Sequence, residues 1–551
     1  EPEGLVTLNL EGLTLSNSSV APIYVEAIGD EMQISAKSGT TNTISDGTTH
    51  TDTYVDSDGN TNTVNGAIFS RDDLKLKGKG TLNVNGNYED GIVCKNDLKL
   101  WNGTIVVHAV DDGIRGKDSV RIGDPTATDY SNLKVTVNTN NGTSGGDGIK
   151  STNDTDENSG YVTINGGTVS IQSYSDGIQA EQAFTMNGGD VTIETYSGHT
   201  FTGSASGGNS GNPWGGGMGG GGMDGNANKT DISAKGIKAV GLYSDEAKTT
   251  YVSGGDITIN GGTLNIDSSD DSLHCAGTMQ ILGGDLKLAS ADDGIHSDTD
   301  VIIGSESDAT NYASPSVDIS YSYEGVEGVT VTMNSGSVMV YSTDDGFNAA
   351  GGADSSGNSN PGGWGQGGWG GGSFSSSNDY KLTFNGGYTY VNAAGDGLDS
   401  NGDMFLHGGY IFVSQTGGGN GPLDCGDNNN SINYTGGVLV AGGSSDMFET
   451  PSSYSFLTSS SLAAGSTVTF TDSNGTVLAT MTFANSSSKM VMSAPESSVT
   501  CYTGGTLSGT TYFPSSTSDT NRSVVCGYGG TISGGTTVSA SSGGGGGGWN
   551  W

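Results

Sequence analysis

Positive charge is what this chain has least of: 20 Lys and Arg stand against 60 Asp and Glu, giving a formal net charge of -40 over 551 residues. That balance argues against nucleic acid or an anionic membrane as partner, since both are polyanions, and favours cations or neutral polymers. No apolar run approaches the roughly 20 residues a membrane-spanning helix needs. No stretch of useful length carries apolar residues at helical spacing, which excludes a helical bundle. Cysteine is scarce too. Cys94, Cys275 and Cys425 lie at scattered repeat positions and read as small apolar side chains. Cys501 and Cys526 share a Ser/Thr-rich C-terminal segment and are candidates for a disulfide in an oxidising compartment. The chain opens at Glu1 with no signal sequence in view, as a processed secreted protein or a trimmed one would.

What is abundant is glycine, 96 residues of it, and it is periodic. A Gly, a few β-formers and an Asp nine residues later recur at Gly103 to Asp112, Gly167 to Asp176, Gly262 to Asp271, Gly284 to Asp293, Gly336 to Asp345 and Gly387 to Asp396. The next Gly pair follows after thirteen residues at Asp90 to Gly103, Asp176 to Gly189, Asp271 to Gly284 and Asp396 to Gly409, so the base period is twenty-two. A repeat of that length containing strands means a solenoid. Runs such as Thr104-Ile105-Val106-Val107 and Ile257-Thr258-Ile259 alternate in the strand period, and no two-residue hairpin signal reverses the chain. The simplest fold is all-β, a right-handed parallel β-helix in which each coil supplies about three short strands. Roughly twelve coils at about 4.8 Å each give a rod of about 55 Å.

The repeat domain is expected over residues 1–445, with Gly/Trp-rich inserts at 199–232 and 351–377. Trp214, Trp364, Trp369, Trp549 and Trp551 fall in tracts otherwise lacking large side chains, and so are candidates for contact or assembly as well as for flexible linker. Residues 446–540, with an Asn474-Gly475 turn, read as an antiparallel cap over the last coil, and 541–551 as a Gly-rich tail.

Stacking puts equivalent side chains in columns, and the repeat Asp is often doubled. Asp111-Asp112, Asp270-Asp271, Asp292-Asp293 and Asp344-Asp345 are followed by Asp118, Asp298 and Asp399, and Glu324 with Glu327 fill one coil. Two full charges about 5 Å apart repel by roughly 1 kcal/mol in bulk water and more near a protein surface. A column of them needs countercharge, protonation or hydrogen bonds. A single Asp-Gly is explained by turn chemistry, with Asp bonding amides and Gly at positive φ; a doublet asks for more. Those eleven aspartates are the candidate calcium ligands, because carboxylates, carbonyls and water satisfy its about six to eight oxygen ligands without strict geometry. His274, His296 and His407 come from different coils and read as solvated turn residues. The scarce bases Arg115, Lys117, Lys150, Lys235 and Lys238 follow the Asp-Gly corner or its equivalent. They form a patch that could hold the carboxylate of an acidic sugar or simply neutralise the Asp column.

The ordered phrases Ala67-Ile68-Phe69-Ser70, Gly80-Thr81-Leu82-Asn83-Val84-Asn85-Gly86, Asp90-Gly91-Ile92-Val93, Asp112-Gly113-Ile114-Arg115-Gly116-Lys117-Asp118, Tyr323-Glu324-Gly325-Val326-Glu327-Gly328 and Asp396-Gly397-Leu398-Asp399 carry a resemblance over about residues 5–510. The chain resembles the secreted clostridial carbohydrate-binding proteins with a polysaccharide-lyase-like parallel β-helix. The resemblance implies bound calcium, an extracellular or cell-surface setting, and binding of cellulose or polygalacturonate-like polysaccharide. It does not imply cleavage. A calcium-dependent pectate-type lyase would need Lys117, Lys150 or Lys235 as base, and crowding by Asp keeps a lysine protonated. A third reading has the subunits self-associate into an extracellular fibre, continuing the β stack or joining through the Gly/Trp tracts.

Overall fold

In a computed structural model, which describes residues 4–56, 58–202, 233–244, 250–350, 380–426, 430–513 and 526–541, strand alternation is clear in many strands, while others such as Asp90–Cys94 are buried throughout. In Leu133–Asn138 the residues at 133, 135 and 137 are buried while 134 and 136 are exposed. The chain divides into two compact units. The first holds the described residues up to Thr299 together with Tyr321–Tyr323. Its described strands form three parallel sheets of nine, one for each face of a coil. They run from Val6–Leu10 to Met279–Ile281, from Thr14–Ser16 to Asp285–Ser290, and from Ile23–Val25 to Ile295–Ser297. Each strand pairs with its equivalent in the next coil, as Leu82 does with Ile105. This is a parallel β-helix.

The register stacks like on like. Leu82, Ile105, Val135, Val169, Val191, Leu264 and Leu286 form one continuous buried column. Each contributes about 1.5–3 kcal/mol relative to an exposed side chain. The glycines have two separate jobs. Gly103, Gly167, Gly189, Gly262 and Gly284 open strands of the second sheet at φ between 93° and 103°, which excludes side chains. The glycine of the Asp-Gly pair does not take positive φ as the turn reading expects; it permits close approach. A Cβ on Gly148 would lie 2.4 Å from Ile171 Cγ2 and 2.6 Å from the Gly177 carbonyl oxygen. Gly148→Ala is therefore expected to cost about 1–3 kcal/mol through overpacking. A urea midpoint equal to that of the parent protein would refute this.

Two reversals interrupt the parallel order, against the expectation of none: Thr53–Val55 pairs antiparallel with Thr61–Thr63, and Leu242–Tyr243 with Tyr251–Ser253. The first hairpin lies on the third face, where Tyr54 and Tyr24 pack on a cluster of Ala21, Val64, Phe69 and Val93.

The second unit holds Asp300–Ser320 and the described residues from Glu324 onward. Its first face runs through Asp300–Ile303, Thr330–Met333, Lys381–Phe384, Asp403–Leu406 and Ile432–Tyr434. Its third face holds Val326–Glu327, Phe347–Ala349 and Leu398–Ser400. Parallel pairing on its second face ends at Val438–Gly443, where Lys489–Ser493 docks antiparallel. Thr467–Thr471 then pairs antiparallel with Val477–Thr482, across a turn containing Gly475 at φ 80°. Phe456, Phe470, Phe483, Met490 and Met492 pack with Tyr388, Tyr390 and Phe412 in one core, so this segment caps the coils as expected.

The disulfide is corrected. Cys501 and Cys526 are both buried free thiols. Cys501 sits opposite Phe470, Phe470 opposite Ala479, and Cys526 opposite Met481, so two strands lie between the cysteines. Three strand spacings are about 14 Å, far beyond the about 7 Å between Cα atoms that a bridge tolerates. The tryptophans at 214, 364, 369, 549 and 551 lie outside the described residues, as do most of both inserts and nearly all of the tail.

Candidate functional site: an aspartate ladder and its countercharges

The corner between the second and third faces of the first unit is built by the Asp of each coil. Asp90 Oδ1 accepts the Asp112 amide at 3.1 Å, Asp112 Oδ1 the Asp147 amide at 2.9 Å, and Asp147 Oδ1 the Asp176 amide at 3.0 Å. Asp176 Oδ1 accepts the Lys235 amide at 2.8 Å, and Asp271 Oδ1 the Asp293 amide at 3.0 Å. Each Asp thus secures the backbone of the following coil, and a rung that is ionised does so through a charge-assisted bond, about twice as strong as a neutral one. Single aspartates 90, 147 and 176 are full rungs. Weighting the doublets alone undervalued them, although the twenty-two-residue spacing marks Asp90 and Asp176.

Lys235 does not follow the corner as expected; it occupies a rung. It accepts the Asp176 hand-off through its amide but has no carboxylate to pass on, and the Asp271 amide instead bonds Asp270 Oδ1 at 3.0 Å. The 270–271 doublet is thereby explained locally: Asp270 fills the gap that Lys235 leaves. The Lys235 ammonium, 1% exposed, lies 2.7 Å from Asp271 Oδ2 and 3.0 Å from Asp270 Oδ1. Burial works to raise the Asp271 pKa, but Lys235 and His274 win and hold it well below the usual value.

Three residues after each rung, a second column runs through Arg115, Lys150, Gln179, Lys238, His274 and His296 in register. Arg115 contacts Asp90 closely and lies 3.7 Å from Asp112; Lys150 is 2.7 Å from Asp147; Lys238 is 3.7 Å from Asp176. Burial pushes Asp147 up to about 7 against the pull of Lys150, and Asp90 to about 8 against Arg115. Burial opposes charge on Lys150 as well, yet Asp147 and Asp112 hold its pKa well above the ordinary value. His274 and His296 are buried and stacked, with centroids 4.8 Å apart and planes 7° from parallel, which corrects the reading of both as solvated turn residues. His274 Nδ1 faces Asp271 at 2.9 Å, and His296 bridges Asp293 and Asp298 at 3.2 and 3.3 Å. Burial, with Lys235 beside it, holds the His274 pKa down.

Arg115, Lys150 and Lys238 therefore do share one face, whereas Lys117 is exposed and lies off that column. Asp118 bonds Asn153 Nδ2 at 2.6 Å, away from the rungs. Asp111 is exposed and its Oδ1, with that of Asp112, points at Gly146, where a Cβ would meet them at 2.4 and 2.6 Å. Asp270, Asp271 and Asp292, all buried, present oxygens within 4.8 Å of one another. That triad is this unit's candidate cation site.

The second unit's corner differs in kind. Asp345 Oδ1 accepts the Asp396 amide, and Asp396 Oδ1 the Gly421 amide, continuing the hand-off. The column three residues on reads Glu327, Asn348, Asp399, with no base in it. Asp344 and Asp345 both turn Oδ1 toward Gly395. Burial, then Asp399, Asp396 and Asp344, pushes the Asp345 pKa well above normal, and burial carries Asp396 to about 7. Asn348, 5% exposed, donates to Glu324 Oε2 at 3.0 Å, while its Oδ1 has no hydrogen-bond partner among the described residues.

Three-faced parallel coils with an aspartate corner ladder define a β-helical repeat protein of the solenoid class. The chain belongs to the carbohydrate-binding domain-containing protein family, whose model matches residues 1–294 and 277–359. A carbohydrate-binding domain-containing protein of Acetivibrio thermocellus is 37% identical over 102 residues, which is 18% of this chain. The matched region spans 34% of that relative's length. A solved polysaccharide lyase-like protein from C. thermocellum, studied as a gadolinium derivative, is 32% identical, with 35% of this chain and 71% of that one covered and a TM-score of 0.31.

Proposed function

We propose that this protein is a secreted, calcium-stabilised β-helix that binds plant-wall or acidic polysaccharide and does not cleave it. The observation that carries the reading is the carbohydrate-binding family match across the nine-coil unit. Retention without cleavage is supported by the lysines. Proton abstraction beside a uronate carboxylate needs an unprotonated base within reach of the sugar. Lys150 is locked on Asp147 with its pKa raised, and Lys235 is sealed between two carboxylates, so neither supplies that base; of the three candidates only the exposed Lys117 is left to a lyase.

Calcium fits the donor chemistry in both units. Asp270, Asp271 and Asp292 are three buried carboxyl groups with oxygens within 4.8 Å of one another, two of them on the Lys235 ammonium, an acidic cluster out of water that suits a cation. In the second unit Asp344, Asp345 and Asp399 would be joined by Glu324 and by the buried amide oxygen of Asn348, an all-oxygen set. Calcium there would supply countercharge for the stack rather than chemistry. The fibre alternative depends on tracts outside the described residues.

Calorimetry against cellulose, polygalacturonate and unrelated glycans, with calcium and with chelator, tests the reading. Binding of at least one wall glycan, weakened by chelator, is expected. Failure of every glycan to bind in calcium rules the function out.

A further inference from the structure

Of the 20 basic residues in this acidic chain, two lie over one ring, and Lys117 follows Lys95 at the equivalent place one coil on. Tyr54, on the hairpin strand Thr53–Val55, has the Arg71 guanidinium carbon 5.6 Å from its centroid and Lys95 Nζ at 5.4 Å. Lys95 also lies 5.7 Å from the Phe69 ring. The positive charges of Arg115 and Lys117 act on both the Tyr54 hydroxyl and Lys95. Topology explains the gathering. Phe69, Val93 and Arg115 are successive members of one column on the third face, and the hairpin folds over its beginning. The hairpin thus makes a wall against which the base column opens.

The four cations are not equally satisfied. Arg71 pairs with Glu26 and donates to the Val55 carbonyl at 2.9 Å, and Arg115 is held by Asp90 and Asp112. Lys95 and Lys117 form no ion pair with any described residue. Burial and then the neighbouring Arg115 lower the Lys95 pKa, against Asp90, to about 8. Lys95 is held by the Tyr54 and Phe69 ring faces and not by a carboxylate, and like charges brought together have a cost.

We propose that Tyr54, Lys95 and Lys117 form a binding subsite for a hexuronate unit of an acidic saccharide. The ammonium groups take its carboxylate and the Tyr54 ring packs against the sugar's C–H face. This rests on the carbohydrate-binding reading and selects an acidic over a neutral sugar at this place. The formal charge of -40 does not forbid it, because exposed charges beyond about 8 Å are largely screened at physiological ionic strength; nearby, Asp56 and Asp90 oppose Arg115 and Lys117 in their effect on Lys95. Carboxylate to ammonium is a charge-assisted contact, and Arg115 behind it supplies further positive potential.

The test is calorimetry on the full chain in calcium buffer with trigalacturonate, cellotriose and inorganic sulfate as separate probes, using the parent, Lys95→Gln, Lys117→Gln and, as a distant control, Lys381→Gln. Trigalacturonate affinity should fall about tenfold in each of the first two variants, a loss of about 1.4 kcal/mol, and stay unchanged in the control; cellotriose affinity should not move. Trigalacturonate should also protect Lys95 from acylation in the parent, read by mass spectrometry, which removes any dependence on variant folding. If trigalacturonate binds parent and variants alike without protecting Lys95, the subsite is wrong and the family reading stands. If sulfate protects Lys95 as well as trigalacturonate does, the site takes simple anions and the saccharide assignment is overturned. If no saccharide or wall polysaccharide binds at all, the carbohydrate reading itself falls.

Discussion

Lys235→Met is expected to destabilise the first unit by about 3–5 kcal/mol in calcium-free buffer, the usual consequence of removing one partner from a buried ion pair. The ammonium is 1% exposed and its two partners, Asp270 and Asp271, are fully buried. Met retains the apolar stem and the amide that receives the Asp176 hand-off, so the variant isolates the charge. Asp292 adds a third carboxylate to what is left. If this triad accepts calcium, the variant should regain much of its stability on calcium addition and bind the ion more tightly than the parent. A denaturant midpoint in chelator equal to that of the parent would show that the ammonium is not the countercharge.

The second unit should lose stability as pH rises from about 4 to about 7 when divalent cations are absent, the reverse of ordinary acid denaturation. The sign follows from Asp396 and Asp345. Burial raises Asp396 from 3.8 to about 7, and Asp345 moves the same way with Asp399, Asp396 and Asp344 adding to burial. The folded state therefore holds these protons more tightly than the unfolded chain. Their contribution is complete below about pH 4 and is lost as pH passes through the folded values. A melting decrease on the order of 5 °C is expected, at about 2–4 °C per kcal/mol for a unit of this size. Hydrogen exchange in Ser337–Ser342 and Tyr388–Ala393 localises the loss. Calcium should restore stability at pH 7 and do little at pH 4. A flat calcium-free profile between pH 4 and pH 7 would remove the case for an uncompensated acidic stack.

The nine- and thirteen-residue intervals made the coils legible, because a Gly at positive φ opening each strand of the second sheet and an Asp closing each corner are both backbone requirements. The cap was legible for the same kind of reason, since Gly475 sits in its turn at positive φ. Countercharge was not. Lys235 looks like a residue beyond the corner because the long insert before it erases the interval, and only the hand-off from Asp176 restores its register. The stacked His274 and His296 are one coil apart at equivalent positions, but burial against Asp271 and Asp293 is a tertiary fact. The hairpin at Thr53–Thr63 escaped notice because its loop is longer than two residues and is organised by Asp56, which accepts the amides of Asp58 and Asn60. The cysteine pair failed for want of strand order: nearness in sequence within a cap says nothing of how many strands intervene.

The ladder has a direction. A rung needs a carboxylate only to give, since what it receives arrives at a backbone amide that any residue but proline owns. The hand-off by itself therefore sets no side-chain requirement on the coil that follows, whereas segment 262–283 is tied to its place because Asp270 and Asp271 take their countercharge from Lys235 in the coil below. Along the ladder the carboxylates accept and the amides donate, so Lys235 is a rung that gives its amide to the coil below and offers no acceptor to the coil above.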